Sequence, residues 1–214
     1  MTRVPLFRKI GFVLAMVVTL SILIIGVASI IYMSDSSKNV ADEIIETQSK
    51  NAIAAMDTML NRYEHESKMA AESLATNTEI VNAFERMDPT TLCEIGNLVT
   101  GKTGRGANFV TFTDNSGKVI ARTHSARTGD YITHQKNITQ ALYGNAATFV
   151  EFGNEVRLGV RSGAPVKNEQ GKIIGIVSTG YSLLDPAFVE GMKEITGDEF
   201  TVFIGDNRVN TTVR

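Results

Sequence analysis

The 214-residue chain has no tryptophan, one cysteine and only four prolines. The single cysteine, Cys93, excludes any internal disulfide, so packing and hydrogen bonds must hold the fold even in a compartment that permits disulfides. On its apolar helical turn it reads as a small core residue rather than a nucleophile. A net charge of −2 leaves no broad basic surface and excludes nucleic acid as a partner. No Ser-His-Asp order and no paired carboxylates stand in a setting that would tune them, so the chain does not read as an enzyme. His124, His134 and Asp130 lie within eleven residues of each other but have no second cluster to complete a metal site. No metal and no cofactor is implied.

One long hydrophobic run is present. Residues 10–32 read IGFVLAMVVTLSILIIGVASIIY, uncharged throughout. At about 1.5 Å per helical residue the run crosses a hydrocarbon core of about 30 Å. Arg3, Arg8 and Lys9 precede it, and Asp35, Lys38, Asp42 and Glu43 follow. Basic residues favour the cytoplasmic side, which predicts an inner-membrane anchor with the N-terminus inside and everything after Tyr32 periplasmic or extracellular. The competing reading is a signal peptide cleaved near Val27-Ala28-Ser29. The run is too long for that class, and no turn residue follows it.

Residues 34–87 contain neither proline nor glycine. Ile53, Met56, Leu60, Tyr63, Ser67, Ala70, Leu74, Asn77, Val81 and Phe84 recur at three- and four-residue steps, placing a narrow apolar stripe on one long helix, with Ser67 and Asn77 as polar breaks. Such a stripe suits a coiled-coil seam, and hence a homodimer, or a packed sheet. Asp88-Pro89 ends the helix. The period then changes. Strands are expected at 108–113, 118–123, 148–152, 155–166 and 172–181, with a short helix at 137–143. Asp185-Pro186 opens another helix, and a strand at 200–204 follows. Short connections make this an antiparallel meander after a long helix, an α+β arrangement.

Gly96 to Thr103 matches GxxxxGK[ST], but a helical stretch precedes it and a strand follows, the reverse of what a phosphate-binding loop requires. Asn137-Ile138-Thr139 and Asn210-Thr211-Thr212 match the glycosylation sequon. The stronger constellation is cationic. Strand alternation puts Arg157, Gly159, Arg161 and Gly163 on one face, opposite Val156, Leu158 and Val160. Arg122 and His124 share a face of the second strand. Arginines on an open sheet face favour a small anion, most simply a carboxylate. The competing arrangement pairs them internally with Glu151, Glu155 or Asp130.

An anchor, a long helix, a hairpin ending VIARTH at 119–124 and the run LGVRSGAPVKNEQGKIIGIVSTGY at 158–181 resemble the extracytoplasmic Cache sensor domains of methyl-accepting chemotaxis proteins and of citrate and dicarboxylate sensor kinases. EFTVFIGDNRVNTTV at 199–213 resembles the start of a second module in double-module relatives. The resemblance implies a bacterial or archaeal receptor: a transmembrane helix at 10–32, a long helix at 33–88 on a PAS-like five-stranded antiparallel sheet, a sensor module at 89–196 and a second one begun at 197–214. It implies a small-molecule ligand, with a carboxylate favoured. In dicarboxylate-sensing relatives an arginine four residues before the proline binds carboxylate; Arg161 stands four before Pro165. Arg122 and His124 take the places of a second ligand-binding arginine and histidine, with Arg157 and Tyr181 grouped beside them. The expected activity is ligand sensing for chemotaxis, with a sensor kinase ectodomain as the alternative and an anchored enzyme or scaffold as the outsider. Relatives continue into a second span and a cytoplasmic output domain, so the sequence is expected either to be a fragment or to act with an output carried on another chain.

Overall fold

A computed structural model describes residues 6–101 and 106–213. The chain divides into two compact units, Met1–Asn51 and Ala52–Arg214. The first is helical throughout its described part. It belongs to α1 (Leu6–Ala75), which has the length and apolar composition to cross a membrane. Within this unit Leu14, Leu20 and Ile24 are 67%, 60% and 61% exposed. A run of such side chains exposed among the described residues fits a lipid environment rather than water. Arg3 lies outside the described residues.

The second unit holds the end of α1, then α2 (Thr78–Glu85), α3 (Pro89–Val99), β1 (Phe109–Asp114), β2 (Val119–Arg122), α4 (Lys136–Leu142), β3 (Ala147–Phe152), β4 (Leu158–Lys167), β5 (Ile173–Ser182), α5 (Pro186–Thr196), β6 (Thr201–Ile204) and β7 (Asn207–Thr211). This is the expected α+β class, with one correction at the long helix. It does not run to residue 88 but stops at Ala75. Asn77, one of the polar breaks in the stripe, is the cap of α2, its side chain accepting from the amides of Glu79 at 2.8 Å and Ile80 at 3.2 Å. An asparagine at that place satisfies amides a continuing helix would have bonded itself.

The sheet is antiparallel in the order β2-β1-β5-β4-β3, while β6 and β7 form a separate pair. A pure meander is therefore corrected: α4 separates β2 from β3, leaving both at the edges, and β1 pairs with β5 in the middle. Turn chemistry fixes the hairpins. Asp114 accepts from the amides of Ser116 and Lys118 at 2.8 and 3.0 Å, while Gly117 takes a φ of +79°.

Alternation gives the sheet two different faces. Val110, Phe112, Ala121, Ala164, Val166 and Val177 form a core with Ala71, Leu74, Ile80, Phe84 and Leu92 from the helices. Tyr63 stacks on Tyr181 with ring centroids 4.2 Å apart. Ser67 is fully buried and its hydroxyl lies 2.6 Å from that of Ser162, which lies 2.7 Å from that of Thr148. The lower stripe residues Ile53 and Met56 remain 57% and 40% exposed, so only the upper stripe packs on the sheet. The opposite sheet face carries α4. Gly163 admits its close approach, because a side chain there would meet the Asn137 carbonyl.

Both sequons are structural. Asn137 is fully buried and donates to Ser178 at 2.8 Å, and Asn210 is 8% exposed and donates to the Asp185 carbonyl at 2.8 Å. Neither side chain is available for a glycan. Lys102 and Thr103, the end of the GxxxxGK[ST] match, lie outside the described residues.

Candidate functional site

On the α4 face, β4 carries Arg161, β2 ends in Arg122 and the chain leaving β2 brings His124. Register explains the meeting. Thr111 pairs with Arg122 on one side and Ser178 on the other, and Arg161 pairs with Gly180, itself paired with Phe109. Arg122, His124, Arg161, Thr111, Gln135 and Ser178 line one small cavity of about 10 Å³.

Its two arginines differ. Arg122 is neutralised by Asp130 through two parallel bonds of 2.8 and 2.9 Å, and also donates to the Arg127 carbonyl at 2.6 Å. The guanidinium holds the Asp130 carboxyl well below the ordinary carboxylate range. Arg161 is 4% exposed and has no ion pair among the described residues. It donates through one terminal nitrogen to the Val156 carbonyl, its guanidinium sits 5.0 Å from the centre of the Phe109 ring, and its Nε has no partner. Burial lowers its pKa to about 10, which still leaves it charged at neutral pH. The carboxylates that could have neutralised it are engaged elsewhere. Glu151 caps α4, accepting from the amides of Lys136 at 2.7 Å and Asn137 at 3.3 Å, and Glu155 pairs with Arg127 at 3.2 Å.

His124 completes the set. Its ring lies 5.3 Å from Phe109 and its Nδ1 is buried without a partner. Burial first, then the charges of Arg122 and Arg161, lower its pKa to about 4, so it is neutral at physiological pH. Beside these, Asn137 leaves its Oδ1 without a partner. The site thus holds one buried unpaired cation and polar atoms whose hydrogen-bonding capacity is not met among the described residues. Unmet capacity of this kind is costly in a fold without a use for it.

Two residues grouped with these in the sequence stand elsewhere. Arg157 precedes β4, which starts at Leu158 rather than at residue 155, and is exposed; the bend at 154–157 breaks the alternation that placed it beside Arg161. Val156, assigned to the opposite face, turns its carbonyl to Arg161 for the same reason. Tyr181 is on the helix side of the sheet, donating to Glu66 at 2.6 Å. There it lines a larger groove of about 1110 Å³ with Tyr63, Met59 and Gly191. That groove presents Glu66, Asp185, Glu190 and Glu194 against Arg62, a charge balance that repels a carboxylate. Sequence reasoning missed Gln135, which lines the cavity, and Asn137, which reaches it only through its bond to Ser178. The buried sequon asparagine was the one visible signal.

The dCache_3 family, described as a double sensory domain of two-component sensor kinase, matches residues 43–214. The periplasmic domain of Vibrio cholerae LuxQ is similar in structure at 11% identity, with 78% of this chain and 79% of that one covered and a TM-score of 0.55. The sensor domain of the V. cholerae histidine kinase DctB is similar at 14% identity and a TM-score of 0.52; the match covers 73% of this chain and 60% of that one. The ligand-binding domain of the Campylobacter jejuni chemoreceptor Tlp3, in complex with L-valine, is similar at 15% identity and a TM-score of 0.47, covering 82% and 73%. No curated protein matches the chain. With the family matched over residues 43–214 and the sheet-and-helix fold shared with two sensor domains, the chain belongs to the double Cache sensory domains.

Proposed function

We propose that the chain is the extracytoplasmic sensing part of a membrane-anchored receptor, that it binds a small carboxylate on the α4 face, and that it answers through α1. The observation that carries the ligand class is Arg161, a buried guanidinium with no carboxylate partner and a free Nε among the described residues. A carboxylate supplies both the charge and the acceptor geometry that this group lacks. Arg122, already bonded to Asp130, shapes the cavity wall and contributes positive potential. His124 and Ser178 are the neighbouring polar contacts.

Adjacent residues link the two faces. Arg161 points into the cavity, and Ser162, next in β4, holds Ser67 of α1. Ser178 faces the cavity, and Thr179, next in β5, donates to the Ser67 carbonyl at 2.6 Å. A ligand that prefers one setting of β4 and β5 therefore biases how the sheet holds the helix, a population shift rather than a new contact at a distance. Residues 10–32 are the anchor in this reading, residues 197–214 open a second module, and Ile53 and Met56 face the second copy of a homodimer.

A chemotaxis output follows from the resemblance of the strand signature. The description of the matched family favours a sensor kinase as the second reading. Thermal unfolding of the full chain in lipid nanodiscs, with acetate, succinate and L-alanine as probes, tests the binding. A probe at 100 times its Kd stabilises by about 2.7 kcal/mol. Stabilisation that disappears in Arg161→Ala supports the site, and stabilisation unchanged in that variant removes Arg161 from it.

A further inference from the structure

The cavity at Arg161 is too small for any carboxylate. Its volume of about 10 Å³ is at the lower edge of what one water needs. The space is taken by the connection between β3 and β4. In residues 153–157 the backbone bends away from the strands, closed at its ends by the Gly153 amide on the Arg157 carbonyl at 3.3 Å. Asn154, Glu155 and Val156 line the cavity directly. Gly153 lies so close to the guanidinium that any Cβ would collide with it.

We propose that residues 153–157 are a strap that fills the ligand site, with the Val156 carbonyl standing where a ligand oxygen would accept from Arg161. This rests on the reading of Arg161 as the anion receptor. The strap is fastened at two outer points besides Arg161. Asn154 donates to Asp130 at 3.3 Å, and Glu155 pairs with Arg127 at 3.2 Å. Both Asp130 and Arg127 also bind Arg122, through its guanidinium and a main-chain carbonyl respectively, so the wall of the site is the anchor of its cover. The ligand must displace the strap before it meets the cation, and its apparent affinity is reduced by the fraction of molecules with the strap open. The strap gives the buried guanidinium an acceptor while the site is empty, as a water or an internal carboxylate would otherwise have to do.

Access to the floor of the cavity measures strap opening without any ligand. Ser178→Cys in a Cys93→Ser background places a thiol at a buried floor position. Its modification by neutral methyl methanethiosulfonate is followed in the full chain in nanodiscs. Removing both outer fastenings with Asn154→Ala and Glu155→Gln is expected to raise the rate about tenfold. Gly153→Ala, which pushes the strap off from inside, should raise it further. A thiol at Ala164→Cys, buried on the helix face, should keep its rate in the same variants, which separates strap opening from general unfolding. An unchanged rate at Ser178→Cys in both strap variants overturns the proposal, as does an equal rise at Ala164→Cys. The binding arm is separate. Faster modification with no probe carboxylate bound leaves the strap standing and removes the carboxylate reading. Arg161-dependent binding of a probe with unchanged modification does the reverse.

Discussion

The two faces of the five-stranded sheet are made by the same strands and each packs an apolar cluster under its helices, yet they differ in how their buried polar groups are satisfied. On the helix face an apolar core packs against α1, α2 and α3, and Ser67, Ser162, Thr148 and Thr179 beside it bond one another or a carbonyl. On the α4 face stand all three of the buried side-chain atoms without a partner among the described residues: His124 Nδ1, Asn137 Oδ1 and Arg161 Nε. A fold selected for stability alone would distribute such defects or remove them. In the proposed reading, their concentration on one face gives recognition to the side that carries α4. Each substitution below is expected to follow that division, and a result that ignores the face it was made on breaks it.

The largest effect belongs to the helix face. Phe112 is fully buried and packs edge-on to Phe84, with centroids 6.1 Å apart. Phe112→Ala should cost about 3–5 kcal/mol in unfolding experiments, with no carboxylate-specific signature. Next is the Arg122–Asp130 pair. Asp130→Ala strands a buried guanidinium and should cost about 3 kcal/mol. Adding Arg122→Met should recover much of that loss, because the stranded charge is then gone. Asp130 also sets an acid limit. Its folded-state pKa is depressed, so the stability it contributes is complete above the ordinary carboxylate value of about 4 and declines as pH falls below it.

A smaller effect separates the faces by pH. His124 is held neutral with a pKa of about 4 in place of 6.5, and the groups facing it are Arg122, Arg161 and Glu155. The unfolded chain takes up a proton as pH falls through 6.5, while the folded chain does so only near 4. Stability therefore declines across that window, by about 1–2 kcal/mol for a partly buried ring, and is level above it. His124→Phe should remove this part of the slope, as read from midpoints of unfolding between pH 7 and pH 4.5.

The sequence carried the division further than it carried the site. Period-two alternation along β4 placed Arg161 opposite Val160, because the strand pairs regularly with β5 through that stretch and successive side chains alternate faces. The cap at Asn77 was written in the sequence but hidden by the stripe, since an asparagine at a three-step position satisfies both patterns. What alternation could not convey was where β4 begins. Gly153-Asn154 reads as a two-residue turn, but the bend runs on to 157, where the Gly153 amide meets the Arg157 carbonyl and Arg161 takes the Val156 carbonyl. That bend misplaced Arg157 and Val156 together. Tyr181 went astray differently, for its strand was right and its face was not: paired with Val160, it stacks on Tyr63 of α1. The pairing of Arg122 with Asp130 was visible only as one of several possible neutralisations, and choosing among them needs the loop geometry.

The smallest expected difference is the sharpest test, because it compares one chemical change on both sides. Ser178→Ala removes the acceptor of the Asn137 amide, whose Oδ1 is already without a partner, so the whole buried amide is left unmet. That should cost about 2 kcal/mol. Ser67→Ala removes a hydroxyl from a chain in which Ser162 still holds Thr148 and Thr179 still donates to the Ser67 carbonyl, so about 1 kcal/mol is expected. The two should diverge more in function than in stability. If β4 and β5 carry the state of the cavity to α1, Ser67→Ala should leave the affinity of a carboxylate probe within about twofold while weakening the ligand-induced change in reactivity of a single cysteine placed at Met56. Ser178→Ala should weaken the probe's affinity itself. Equal effects of the two serines on affinity would mean that the sheet does not separate binding from response.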